Sequence, residues 1–465
     1  MGWAVTALLL AAGQLGGTQP NELLLPPEPS STCGCHESFT AEQTEPGQSY
    51  RATLMALSNY DPLYRTAFEV ARQDRPDLTE LCIRCHSPIA WLSGRSGGTL
   101  DELLPEDDSS VSCDICHRMV PADPPLIGDG QITIDVRTTK RSQRGAAPFG
   151  GHQVARSEYQ GSAAMCGTCH SLFNPEEPAY DGEGNIVHEA YYEQRTFEEW
   201  RDSKFGEDNT TCVSCHMDIV TGAAVRGGEV YDDLRVHNIV GGNLFAIQAI
   251  EMLNPLLGIR GDLPVVEQWI DASLAAAADL EVTTAPTEIT GGQPFDLQVR
   301  LTNNTGHKLP SGYPEGRRVY LEVSLQIPGM ESQILSGAWD QMTGNIVRDP
   351  QIRTYETEHG RYENGTSERT RRLLLMNQII YDTRLPPEGF RPSAGDMIPT
   401  GRDYGDGPVY NHWDDVSYQF EGPDVPATMQ GTLQVRALYQ ATDGEVVNFL
   451  LDATQGSPEA EDLAM

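Results

Sequence analysis

The chain runs to 465 residues, with 32 Lys plus Arg against 67 Asp plus Glu and a net charge of −35. A surface this acidic excludes nucleic acid and anionic membranes as partners, and suits either a cationic partner or plain solvation. The length allows two or three domains.

Ala4 to Ala12 is a short apolar run, followed by a Pro-rich stretch from Asn21 to Ser30. The run suits the hydrophobic part of a secretion signal and is too short to span a bilayer, although no Lys or Arg precedes Arg51. Residues 1–30 are expected to be signal and linker. No transmembrane span is expected, and the protein is expected in the periplasm or outside the cell.

From Cys33 to His216 one chemical pattern recurs. Four copies read C-x-x-C-H: Cys82, Cys85 and His86; Cys113, Cys116 and His117; Cys166, Cys169 and His170; Cys212, Cys215 and His216. A fifth, at the front, is one residue short: Cys33, Cys35 and His36. In such a motif the two thiols add to the vinyl groups of a haem and the adjoining imidazole ligates its iron. Zinc knuckles or a redox dithiol also use C-x-x-C pairs. The histidines decide. With 11 His in the chain, five specified neighbours all being His by chance is roughly one in a hundred million. All ten cysteines are used, so none is left for a disulfide framework. Haem c is the expected cofactor, four at the complete motifs and a fifth at the short one. There the attachment uses both thiols with altered geometry, Cys35 alone, or neither.

Around the motifs the sequence is rich in Gly, Pro, Asp and Ser, as expected if porphyrins form the apolar core. Tyr50 to Ala71 is predicted helical, with Asp61-Pro62 breaking it. Pro121 to Gly151 is predicted as a loop with a short strand at Gln131–Val136. Thr196 to Ser203 is predicted as a helix with Thr196 and Glu199 forming a capping box. After Gly242 the pattern turns helical. Leu244 to Leu253 should end before Pro255, and Asp262 should cap a second helix through Val265, Trp269 and Leu274. From Glu281 the period becomes two. Phe295–Leu301, Val319–Leu325 and Leu433–Tyr439 alternate, and a further strand is predicted at Val446–Leu451. The expected fold is a multihaem cytochrome c domain of short helices and loops, followed by an all-β, Ig-like sandwich. The boundaries are 31–242 for the first domain, 243–281 for a helical connector, 282–455 for the sandwich and 456–465 for an acidic tail.

Several stretches carry a family likeness: Asn59 to Pro62, Leu81 to Pro88, Val111 to His117, Thr196 to Ser203, His237 with Gly241 to Asn243, Asn303 to Arg318, and Arg384 to Phe390. On these residues, across most of 30–450, the chain resembles the exported multihaem c-type cytochromes related to the tetrahaem electron-transfer cytochrome of ammonia-oxidising bacteria. In plan it is most similar to their larger relatives, which carry a C-terminal β-domain. The resemblance implies further iron ligands at His152, His237, His307 and His188. Where the family usually has histidine six residues before Asp-Pro, this chain has Met55. Met55 is either a core residue of a helix face or a thioether ligand that raises one haem potential. His359 and His412 are read as ordinary residues.

Relaying electrons is the expected role, with redox proteins such as quinol-oxidising or terminal oxidoreductase complexes as partners. Two alternatives stay open. One is a haem enzyme acting on a small nitrogen or sulfur compound at an open iron, although the C-x-x-C-K motif of pentahaem nitrite reductases is absent. The other is an assembly or conduit subunit.

Overall fold

The computed structural model describes residues 15–465, except 41–43, 96–99, 101–102, 104–109, 146–151, 260 and 426–427. The Ala4–Ala12 run lies outside the described residues. No described helix is long and apolar enough to cross a membrane.

The first half is built of short pieces, as its Gly, Pro and Asp content dictates. Pro62 does not break a helix. It starts one, at the first position of Pro62–Asp74, while the Asp61 carboxylate accepts from the Leu63 amide. Proline suits that position because the lost N–H is unpaired there anyway. The complete motifs lie on or at the end of four short helices, Glu80–His86, Cys113–Arg118, Ala163–Gly167 and Cys212–His216. The short motif forms a 3₁₀ turn, Gly34–His36. The Gln131–Val136 stretch is not a strand; only an isolated bridge joins Ile134 to Met119. Its alternation still works as packing, since Ile132 and Ile134 are buried among Phe68, Ile83, Trp91 and Ile115.

The connector is two helices, Leu244–Leu257 and Leu263–Ala277. Pro255 sits inside the last turn of the first, contrary to expectation, and the helix ends at Gly258 in the left-handed region. Asp262 caps the second by accepting from the Val265 amide. Ile247, Ile250, Val266 and Ile270 pack with Ala52 and Leu57, tying the connector to the first half.

The second helix runs directly into the strand Ala278–Thr284. That strand, Pro294–Asn303 and Trp413–Glu421 form a three-stranded antiparallel sheet in which Phe295 faces Phe420, Leu297 faces Tyr418 and Val299 faces Val416. A larger sheet contains Arg318–Gln326 between Thr432–Gln440 on one side and Gln333–Ser336 and Arg353–Glu363 on the other. Val319, Leu321, Val323 and Tyr355 of the larger sheet share one core with the inward residues of the smaller. The two sheets thus share one core.

Two parts of the reading need correction. The 282–455 region is not all-β, because Gly444–Ala453 is a helix whose start is capped by Asp443 accepting from Val446. A short, mostly apolar run fits either state, and the cap decides. The 456–465 tail also folds, as a helix at Pro458–Ala464. Nor is the sandwich self-contained. Ala179–Tyr180 and Ile186–His188 of the first half extend the larger sheet, through a parallel pairing of Tyr180 with Gln378. An Ig-like strand order does not follow from this topology.

Candidate haem-binding sites

Each motif histidine follows its second cysteine at the end of a turn, and the chain fixes its ring from behind. His36 Nδ1 lies 2.6 Å from the Ala224 carbonyl, His117 Nδ1 2.6 Å from that of Arg141, and His216 Nδ1 2.8 Å from that of Val240. His86 Nδ1 lies 3.1 Å from the Ser58 carbonyl. A carbonyl can only accept, so each Nδ1 carries the proton and each Nε2 keeps its lone pair. His170 has the Gln194 side-chain amide at 3.2 Å instead. Its oxygen can serve the same purpose, since the two ends of an amide exchange by a flip. Burial pushes His86 and His170 down to about 4 and lowers His117 as well, so these rings are neutral donors at pH 7.

Three motif rings face a second imidazole. His36 and His152 have ring centroids 6.3 Å apart, His117 and His237 6.2 Å, and His216 and His307 6.4 Å, with interplanar angles of 21°, 24° and 18°. Direct ring stacking is much closer. Two metal–imidazole bonds of about 2 Å each, placed on opposite sides of one ion, put the centroids about 6 Å apart. The separation fits an iron between each pair. His237 and His307 are also held from behind, by the Arg235 carbonyl at 3.1 Å and the Lys308 carbonyl at 3.0 Å. Zinc knuckles do not fit. Among the described residues no three or more His, Cys, Asp or Glu converge as a metal site, and all ten thiols are free.

The other two motif histidines have no such partner among the described residues. His86 is stacked flat on Tyr64, with centroids 3.7 Å apart and planes within 2°. His188 does not meet a motif ring. Its Nδ1 lies 2.9 Å from the Ala190 carbonyl and its ring stands edge-on to Tyr192. The Met55 carbonyl accepts from the Val111 amide at 3.3 Å, two residues before Cys113. His359 is buried beside Glu315, and His412 stands edge-on to Trp413.

The motifs also meet one another. The Cys33 thiol lies beside that of Cys113, Cys85 beside Cys169, and Cys166 beside Cys212. Burial pushes Cys116 up to about 12, with the charge of Cys169 as the second cause. The order in space is therefore first, third, fourth, with the second and fifth both branching from the fourth. Cys35 and Cys215, in the first and fifth motifs, are exposed, whereas the other thiols are half-buried. In the short motif the two cysteines are two residues apart, and on a helical turn such residues do not share a face.

The β-half is clamped to these motifs by a buried ionic network that local sequence reading missed. Thr196 and Glu199 do not form a capping box, since the helix Thr196–Arg201 has no side-chain cap. Glu199 instead accepts from the Lys308 amide at 3.1 Å, Ser311 Oγ at 2.7 Å and Arg384 Nη1 at 2.9 Å. Thr196 Oγ1 accepts from the Gly312 amide at 3.1 Å. Lys308 Nζ and Arg384 both donate to Asp382 at 2.7 Å. Burial alone would raise the Asp382 carboxyl, but Arg384 and Lys308 overcome it and hold it well below the usual carboxylate range. The only local signal was Lys308, one of three lysines in the chain.

No protein-family model matches the chain, and no curated protein matches it. Among solved structures it is similar to a penta-haem cytochrome c552 from Thermochromatium tepidum, with a TM-score of 0.43 and 16% identity over 82% of this chain and 80% of that one. Similarity at that level leaves the assignment to the residues themselves.

Proposed function

We propose that the chain is an exported multihaem c-type cytochrome that relays single electrons. The observation that carries the reading is the set of three imidazole pairs, each joining a motif histidine to a distant one at the separation an iron requires. The iron ligands are then His36 with His152, His117 with His237 and His216 with His307, while Met55 stands as a candidate for one of the two irons of His86 and His170. Haem c attaches through both cysteines of each complete motif and through Cys35 at the short one. Bound haem supplies a one-electron Fe(III)/Fe(II) couple. The chain's own residues fix most of these imidazoles through backbone carbonyls, lower the pKa values of His86, His117 and His170 by burial, and close the array under the β-half. Redox proteins with cationic docking faces, of the quinol-oxidising or terminal oxidoreductase kind, are the proposed partners.

A second reading, a haem enzyme with an open iron, draws on His86, which faces no other imidazole among the described residues and stacks on Tyr64. One sample tests both. The intact mass of protein made with haem-attachment machinery should show four or five covalent haems, and three or fewer would overturn the multihaem reading. Electron paramagnetic resonance of the same sample gives only low-spin signals for a pure carrier and a high-spin signal for an open iron.

A further inference from the structure

The strand Tyr191–Gln194 alternates buried and half-buried, so Tyr191 and Glu193 share its inward face. A carboxylate there is out of place. Glu193 is 3% exposed, and its Oε2 has no hydrogen-bond partner. Among the described residues no ion pair to it is formed, and Asp129 is the charge that acts on it most. Cys82 of the second motif feels the Glu193 charge, and Asp129 presses on Glu193 from the other side. A buried carboxyl without a counter-charge takes up a proton, and burial pushes Glu193 up to about 8.

Glu193 belongs to a cluster at the seam between the two halves. Tyr191 stands edge-on to His359 with ring centroids 6.1 Å apart. His359 Nδ1 lies 3.6 Å from Glu315, whose carboxylate accepts from the His359 amide at 2.9 Å. Tyr313 is close to Glu315, Glu193 and Tyr191. The Tyr191 hydroxyl and His359 Nδ1 are buried without partners. Asp396, paired with Arg195, and Arg371, beside Glu315, complete the charged surroundings. Glu315 also lines a polar cavity of about 200 Å³ with Arg318, Arg348, Glu356, Arg369 and Glu445. The cavity reaches solvent, since Arg348 and Glu445 are more than half exposed.

We propose that Glu193 is the proton site of the redox group held by the second motif, supplied from solvent through the Glu315 cavity. The proposal rests on the multihaem reading above. Above about pH 8, where oxidised-state Glu193 has lost its proton, it accepts one proton as one electron, delivered by a donor protein, arrives beside Cys82; on oxidation the proton leaves by the same route. The charge at the seam then stays constant, which is what a low-dielectric site without a counter-ion requires.

The test is a redox titration of the fully loaded protein between pH 6 and pH 10. One potential should be flat at low pH and fall by 59 mV per pH unit at higher pH, the value for one proton per electron. Glu193→Gln should flatten that potential with the haem count unchanged, whereas Asp129→Asn should leave the slope in place. A slope that survives in Glu193→Gln, or that disappears in Asp129→Asn alone, overturns the proposal. Should Glu193→Gln fail to fold, the wild type decides, because reduction in unbuffered solution at pH 9 should take up one proton and an uptake of none overturns it. A mass showing too few haems sinks the multihaem reading instead, so the two failures are distinct.

Discussion

His307 owes its place to Asn303, which hydrogen-bonds the turn and not the ring. Asn303 Nδ2 donates to the His307, Leu385 and Pro386 carbonyls at 2.9–3.0 Å, and its Oδ1 accepts from both Thr305 N and Oγ1. One asparagine thereby ties the turn to the neighbouring loop and presents the imidazole with its Nδ1 already engaged. Such preorganisation is what a ligand at the end of a loop needs, since a freely rotating side chain pays its rotamer entropy on binding. His307→Ala should leave the haem count unchanged and convert one low-spin signal to a high-spin or water-ligated one. An unchanged, all-low-spin spectrum would sink the assignment. The motif residues themselves were legible in the sequence because their chemistry is local, a covalent bond and an adjacent ligand. Glu193 and Glu315 were not, because what makes them unusual is burial by segments far away in the chain.

Among the elements, the helix Thr196–Arg201 matters most for holding the halves together. Glu199 is almost wholly buried and receives three donors from the β-half. Glu199→Ala leaves Arg384 short of a partner and two further donors unpaired, which should cost about 3 kcal/mol or more. Guanidinium unfolding of the loaded protein measures it, and a change below about 1 kcal/mol would mean that the network contributes little. The same helix shows where sequence reasoning stops. A Thr and a Glu three residues apart fit a capping box, and the local pattern cannot reveal that a distant loop has claimed both side chains. The strand Pro294–Asn303 was legible because one of its faces is buried and the other exposed, whereas Arg318–Gln326 was legible only because its residues alternate in polarity, since both of its faces are buried. Gly444–Ala453 was not, since Val446 to Leu451 is too short and too uniformly apolar, Asn448 apart, to show a period.

For the molecule as a whole, the charge of −35 is proposed to govern how partners arrive. Electrostatic steering changes association rates by roughly ten- to a thousandfold and fades once the Debye length falls to a few ångströms. Reduction by a cationic small-molecule carrier should therefore slow about tenfold or more as salt is raised from low to near-molar levels. An anionic carrier should speed up. Stopped-flow traces that ignore salt for both carriers would show that the charge is solvation alone.

The helices Gly444–Ala453 and Pro458–Ala464 lie back against Pro62–Asp74, where Val446, Leu450 and Leu463 bury Val70, and Thr66 Oγ1 reaches the Glu459 carbonyl at 3.1 Å. Segments 393 residues apart in sequence are thus held against each other, so that any force peeling off the two helices uncovers Val70 and frees the Pro62–Asp74 helix.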